Sequence, residues 1–344
     1  MSNLSHDLRA ALAEHFVVPL LAPALVTRSS DGTRKLLFEL DGFPSPVTTS
    51  GNGGGLGRGF ARAAIESVLI PDPPRLTLCI SSQAGCGMGC TFCATARLGL
   101  LRNLSAEEIA GQVVAAQEQI EPGEHIGNIV FMGMGEPLVN YDAVVQAIEI
   151  MTAEWGLGFS PRRITVSTVG IVPAMQRLVV DTAVNLAVSL SGTTEAQRAK
   201  LVPINGRYSL QGLVAMCRAL PIPQRRRITF EYVLLAGVND SLEDAGRLVR
   251  LLHGIRSKVN LIPFNPFPGA RYACPSETTI RCFQERLLAA GTHATIRQGR
   301  GRDIQAACGQ LALASGRTPS HRSQSDTLDS NLGRQRVESS RPTE

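Results

Sequence analysis

Cys86, Cys90 and Cys93 stand in a C-x3-C-x2-C run inside CISSQAGCGMGCTFCATA, directly after the apolar stretch Leu76 to Ile80. Thiolates are soft ligands that select iron-sulfur clusters, zinc or copper. An iron-sulfur cube has four irons, so three close-spaced thiolates leave one iron open. That iron would chelate the amino and carboxylate groups of S-adenosylmethionine (SAM), and one electron from the cluster would cleave the sulfonium to a 5'-deoxyadenosyl radical. A structural zinc knot is the bland alternative. It normally takes four ligands in paired sets, and no second pair stands nearby.

Other residues gain meaning from this centre. The segment Gly133 to Pro137 (GMGEP) puts Glu136 on a glycine-rich turn where backbone approaches a ligand closely, its carboxylate placed to accept hydrogen bonds from the SAM ammonium. An incidental surface turn would look the same without the cysteines. Ser167, Ser189, Ser191 and Asn265 are ordinary polar loop residues taken singly, and only a shared position makes them ligand candidates. Cys308 sits among arginines in GRGRDIQAACGQL, a setting that favours a thiolate. Cys79 lies seven residues before Cys86 and should be close to the cluster loop. A lone free cysteine is commonly a small buried apolar residue, yet two thiols near a radical source invite a redox pairing.

The elements that must position these groups follow from periodicity. Residues 1 to 45 read as a small N-terminal α+β element, a helix then a hairpin turning at Ser29 to Gly32. Residues 46 to 60 are too glycine-rich to pack and read as a loop or linker; no Lys-Ser/Thr follows to make them a phosphate cradle. Strand patterns then recur at Leu76 to Ile80, Asn128 to Met132, Arg163 to Thr168, Val184 to Ser189, Ile228 to Leu235 and Val259 to Ile262. Helical patterns lie between them, at Tyr141 to Trp155, Leu210 to Leu220, Ser241 to Ile255 and Thr278 to Ala290, and after the capping box of Ser105 and Glu108. Six alternating units predict an α/β fold, a partial (β/α)6 barrel over 61 to 315, with active groups at the C-terminal ends of the strands. The cysteine loop, GMGEP, Ser167, Ser189 to Ser191 and Asn265 all fall at that rim. Residues 316 to 344, poor in apolar side chains, are expected to be a disordered tail.

Composition narrows the class. With 344 residues and 44% apolar content the chain can bury a sizeable core. No apolar run reaches a membrane span, the N-terminus lacks a signal-peptide pattern, and eight largely scattered cysteines suit a reducing compartment. A cytoplasmic monomer away from membranes is the expectation. The net charge of +5 is modest, but arginines gather at Arg162 and Arg163, Arg225 to Arg227, and Arg297, Arg300 and Arg302. Placed near active-site loops, these clusters would contact phosphates.

From about residue 60 to 315 the chain resembles the radical-SAM RNA methyltransferases of the RlmN and Cfr family. The resemblance rests on IESVLIP, CISSQAGCGMGCTFCATA, RNLSAEEIAGQV, FMGMGEPLVN, SPRRITVSTVGIVPAM, FEYVLLAGVND, LIPFNPFPG and RGRDIQAACGQL. It implies that Cys86, Cys90 and Cys93 hold a [4Fe-4S] cluster and that Gly135, Glu136, Ser167, Ser189, Leu190, Ser191 and Asn265 contact SAM. It also implies that Cys308 carries the methyl group, that Cys79 resolves the adduct through a transient disulfide, and that Glu66 accepts a proton, with Cys79 the rival for that step. The implied reaction is methylation of adenine C2 in 23S ribosomal RNA, with transfer RNA as a second substrate and C8 as the alternative carbon. Flavodoxin or ferredoxin would donate electrons. Two departures stand out: Ser191 replaces the histidine of a Ser-Leu-His segment common in the family, and the helical N-terminal region typical of the family has no counterpart.

Overall fold

The computed structural model describes residues 5–15, 21–40, 63–297 and 299–304. The glycine-rich stretch, Cys308 and the residues of the expected tail lie outside these. The expected N-terminal helix and hairpin are α1 (His6–His15), β1 (Leu25–Arg28) and β2 (Arg34–Leu40). The hairpin does not stand apart: β2 pairs along its whole length with β3 (Ala63–Asp72), and β3 pairs antiparallel with β4 (Arg75–Cys79).

After β4 a two-stranded ribbon forms from β5 (Gln83–Gly85) and β6 (Leu100–Asn103), enclosing the short α2 (Ala94–Arg97). Then come α3 (Ala106–Gln117), β7 (Ile126–Phe131), α4 (Tyr141–Thr152), β8 (Ile164–Thr168), α5 (Val172–Asp181), β9 (Asn185–Ser189), α6 (Glu195–Leu201) and α7 (Leu210–Ala219). The chain continues through β10 (Ile228–Leu234), α8 (Leu242–Leu252), β11 (Ser257–Pro263), α9 (Glu277–Ala289) and β12 (Ala294–Ile296). The sheet order is β1-β2-β3-β4-β7-β8-β9-β10-β11-β12, parallel from β4 onward. Its six central strands, β4 and β7 to β11, are the six expected ones, and they make the partial barrel. No helix among the described residues is long and apolar enough to cross a membrane.

Local chemistry explains most helix starts. Ser105, Thr194, Ser209, Ser241 and Ser276 each cap a helix by accepting a backbone N–H, worth about 1 kcal/mol apiece. Besides the four-residue α2, the pattern missed two helices. α6 has seven mostly polar residues, too few for a periodic signal, and α5 starts without a polar cap.

Strand alternation gives the sheet two unlike faces. Outward residues such as Leu36, Phe38, Ile65, Leu69, Leu78, Phe131, Phe230 and Tyr232 are buried in one core shared with the helices. Tyr232 stacks on Phe283 of α9 with ring centroids 5.4 Å apart. The alternate residues, facing inward, include Lys35, Glu66, Cys79, Ser167, Ser189 and Glu231. This inner face is where charge and sulfur collect.

Candidate active site

The ribbon β5–β6 acts as a neck for the cysteine loop. Cys86 donates its backbone N–H to Gly99 O at 2.8 Å, and Gly85 adopts φ +77, where an added Cβ would stand 1.9 Å from Gly99 O. Only glycine closes the loop so tightly. Cys86 and Cys90 are buried and Cys93 is half-buried. Burial pushes all three thiols up, and the Cys93 charge pushes Cys86 and Cys90 further; N–H groups of Ala96 and Thr95 partly offset this at Cys93. Bound iron would replace the thiol protons. No three Cys, His, Asp or Glu side chains among the described residues are placed to share one metal ion, as tetrahedral zinc requires. A cube, which spreads its thiolates over separate irons, suits the donor set.

Around this loop lie buried polar atoms without partners: Ser82 Oγ, Ser191 Oγ and Arg198 Nε. Such orphans are costly unless a ligand satisfies them. Ser191 alone among the described non-glycine residues has positive φ, at 50°, with its carbonyl held by Asn239 Nδ2 at 2.9 Å. Asn265 is half-buried in the loop after β11. The unsatisfied hydroxyls fit a polar ligand such as SAM.

The GMGEP turn is fixed from two sides. Gly135 has φ +105, and a Cβ there would meet Gln83 at 2.6 Å. Glu136 accepts from Val169 N at 2.8 Å and from Leu138 N at 3.1 Å, while its own N–H donates to Gln83 Oε1 at 2.8 Å. Its carboxylate is thus turned into the protein, where it staples the loop after β7 to the loop after β8. That differs from the expected outward carboxylate. Burial raises the Glu136 carboxyl to about 7 despite those hydrogen bonds.

Three buried charged groups near this centre escaped the sequence reading. Glu231 on β10 accepts hydrogen bonds from the hydroxyls of Ser167 and Ser189, the latter at 3.3 Å, so one carboxylate orients both candidate SAM-contacting serines. Arg198 on α6 is fully buried; it donates to Asn205 Oδ1 at 2.9 Å and to Val169 O, and it feels the charge of Cys90. Desolvation lowers its guanidinium to about 10. Lys35 Nζ lies 2.8 Å from Glu66 Oε2, both side chains wholly buried. Glu66, which reads as a surface carboxylate from sequence alone, is instead half of an interior ion pair. The alternation in RKLLFEL, with Leu36, Phe38 and Leu40 on one face, was the available signal for Lys35.

Cys79 is buried on the inner face beside Val68, with Val130, Met132 and Ile304 packed against them. Asp303, next to Ile304, ties this segment to the β1–β2 turn by accepting from Ser29 Oγ at 2.5 Å and Ser30 N at 3.0 Å. The arginine clusters require a correction. Arg162 and Arg163 precede β8 and Arg225 to Arg227 precede β10, so they lie at the strands' N-terminal ends, opposite the rim that bears the cysteines. A residue before a parallel strand always falls there. Arg297 directly follows β12 on the rim side, whereas Arg300 precedes Gly301, whose N–H donates to Asp31 Oδ2 in the β1–β2 turn at 2.9 Å.

Comparison with known proteins follows this geometry. Residues 80–249 match the family described as the Radical SAM superfamily. The chain is 48% identical over 316 residues to the protein named dual-specificity RNA methyltransferase RlmN of Syntrophobacter fumaroxidans, covering 92% of this chain and 86% of that one. It is 49% identical over 311 residues to the protein of the same name from Geobacter sulfurreducens, covering 90% and 80%. A crystal structure of a radical SAM methyltransferase from Sphaerobacter thermophilus superposes with a TM-score of 0.79 at 44% identity, covering 90% of this chain and 86% of that one.

Proposed function

Because the chain belongs to the RlmN family of radical SAM methyltransferases, we propose that it methylates carbon 2 of an adenine in RNA. The substrate is 23S ribosomal RNA, with transfer RNA as a second candidate. Adenine C2 is an electron-poor amidine carbon and a poor nucleophile toward SAM, so the reaction needs radical chemistry. When bound, the cluster and SAM supply a radical able to take hydrogen from a methyl group.

The remaining tasks fall to side chains. Cys86, Cys90 and Cys93 hold the cluster. Gly135, Glu136, Ser167, Ser189, Leu190, Ser191 and Asn265 hold SAM, with Glu231 orienting the first two serines. Cys308 carries the methyl group as a thioether until its carbon is joined to the base. Glu66 accepts the proton that leaves the ring carbon. Once the adduct has passed its unpaired electron to an oxidised electron carrier, the Cys79 thiolate attacks the Cys308 sulfur; an S–S bond forms, the C–S bond breaks with its electron pair passing to carbon, that carbon takes up a proton, and the base leaves methylated. An electron donor such as flavodoxin or ferredoxin serves a cytoplasmic, monomeric enzyme.

The observation that carries this reading is the packing of Ile304 against the Cys79 pocket. Cys308 follows Ile304 by four residues in the sequence, a span of at most about 14 Å, which permits the two thiols to meet in the proposed step. The adenine must be unstacked to reach them. The test is anaerobic incubation of protein-free RNA with reductant and labelled SAM, followed by mass spectrometry of nucleosides. The wild type should yield 2-methyladenosine and Cys308→Ala none. An 8-methyladenosine product would move the reaction to the other carbon, and unchanged turnover by Cys308→Ala would remove the two-thiol mechanism.

A further inference from the structure

The N-terminal end of the barrel divides into a charge-paired half and a basic half. Beneath β2, β4 and β7 stand Asp31, Asp72, Glu121 and Glu124, and Glu121 and Glu124 pair with Arg28 and Arg34. Beneath β8 to β11 cations predominate. Arg162, Arg163, Arg225, Arg226, Arg227 and Arg256 all sit in the connections that enter these strands, and every one but Arg226 is exposed. Lys258 adds a further exposed cation one residue into β11. Carboxylates do not balance them: none of these seven forms an ion pair among the described residues. The acids on the nearby connections are Glu154 and Asp181, and Asp181 is engaged by Tyr141 Oη at 2.6 Å.

Two neighbouring features extend the surface. A groove of about 530 Å³ between α7 and α8 is lined by Arg218, Arg247 and Arg250, and the C-terminal ends of both helices lead into the same basic half. Trp155, the chain's single tryptophan, stands 81% exposed on the connection that also carries Arg162 and Arg163. An exposed indole among arginines can stack on an unpaired base while the guanidiniums contact phosphates.

We propose that this basic half is a second RNA-binding surface, gripping the phosphodiester backbone of the substrate at a helix remote from the methylated adenine. Geometry dictates the remoteness. The intervening strands have five to seven residues, so about 16–23 Å separates this surface from the rim. A short hairpin seated at the rim does not reach it; a large folded RNA, with a second helix passing along the barrel wall, does. The surface thus selects for size and tertiary fold and is silent about sequence.

This inference rests on the RNA reading above, and the test separates the two. The variant Arg162→Gln/Arg225→Gln/Arg227→Gln/Arg256→Gln replaces four exposed side chains that have no ion-pair partner, and none of them belongs to the catalytic centre. Binding of a long folded ribosomal RNA fragment and of a short hairpin containing the target adenine is measured across a salt series. For the long RNA the slope of log affinity against log salt should fall by about 3, with at least a tenfold loss of affinity near 0.15 M salt. Hairpin binding and SAM cleavage should not change. Unchanged affinity and slope for the long RNA, in a variant that still cleaves SAM, would overturn the second surface and leave the methyltransferase reading standing. If the wild type binds neither RNA, both readings fail together.

Discussion

Replacing Lys35 with methionine tests the interior of the barrel most sharply. Lys35 Nζ and Glu66 Oε2 are 2.8 Å apart and both side chains are 0% exposed, so neither charge is shared with water. Removing one member of such a pair leaves its partner's charge buried without its counter-ion, which costs about 3–5 kcal/mol. Methionine is close to lysine in volume, so a cavity contributes little. At about 2 °C per kcal/mol for a large domain, Lys35→Met should melt about 6–10 °C below the wild type in an anaerobic thermal scan. The double variant Lys35→Met/Glu66→Leu removes both charges and should recover most of that loss, giving a coupling energy of about 2 kcal/mol or more in the cycle. Recovered stability should come without recovered methylation, since the proton acceptor is gone. A single variant within about 1 kcal/mol of wild type would refute the buried pair, and an active double variant would refute the role assigned to Glu66.

Three other outcomes are expected. Gly135→Ala places a Cβ 2.6 Å from Gln83 at φ +105, so it should cost about 2 kcal/mol or more and weaken SAM binding at least tenfold by calorimetry. Glu136 titrates near 7 in the fold and near 4.5 unfolded, so the folded protein binds the extra proton and stability falls as pH rises from about 4.5 to 7. Denaturant melts of wild type and Glu136→Gln across that range should differ in slope. Glutamine also presents an amide N–H2 to the N–H of Val169 or Leu138, costing about 1–3 kcal/mol. Cys79→Ala should keep full iron content but leave RNA attached to Cys308, visible as a covalent protein–RNA band; prompt release of methylated RNA would assign resolution to another group.

How legible this was in the sequence depended on the physics of each feature. The six central strands announced themselves because strands covered by helices read as apolar, β-branched runs, and the capping box of Ser105 and Glu108 is purely local. The cysteine loop was legible because its chemistry lies in three residues close in sequence. Lys35, Arg198 and Glu231 were not, because a buried charge and a solvated one are the same letter, and only the faces of neighbouring strands decide between them. The RKLLFEL and ITFEYVL alternations put Lys35 and Glu231 opposite the apolar face, a signal that spacing alone offered. The arginines beside β8 and β10 misled through composition, whereas their order relative to the strand already fixed their end of the barrel. Glu136 stood where expected, but the direction of its carboxylate was set by Val169, distant in sequence.

One measurement bears on the central claim directly: 5'-deoxyadenosine released from SAM by anaerobically reconstituted, reduced protein, compared with Cys86→Ala prepared identically. Release by the wild type and none by the variant is the predicted result. Iron-loaded wild type that releases none, or a variant that releases as much, would contradict the assignment of Cys86, Cys90 and Cys93 as the ligands of a SAM-cleaving cluster.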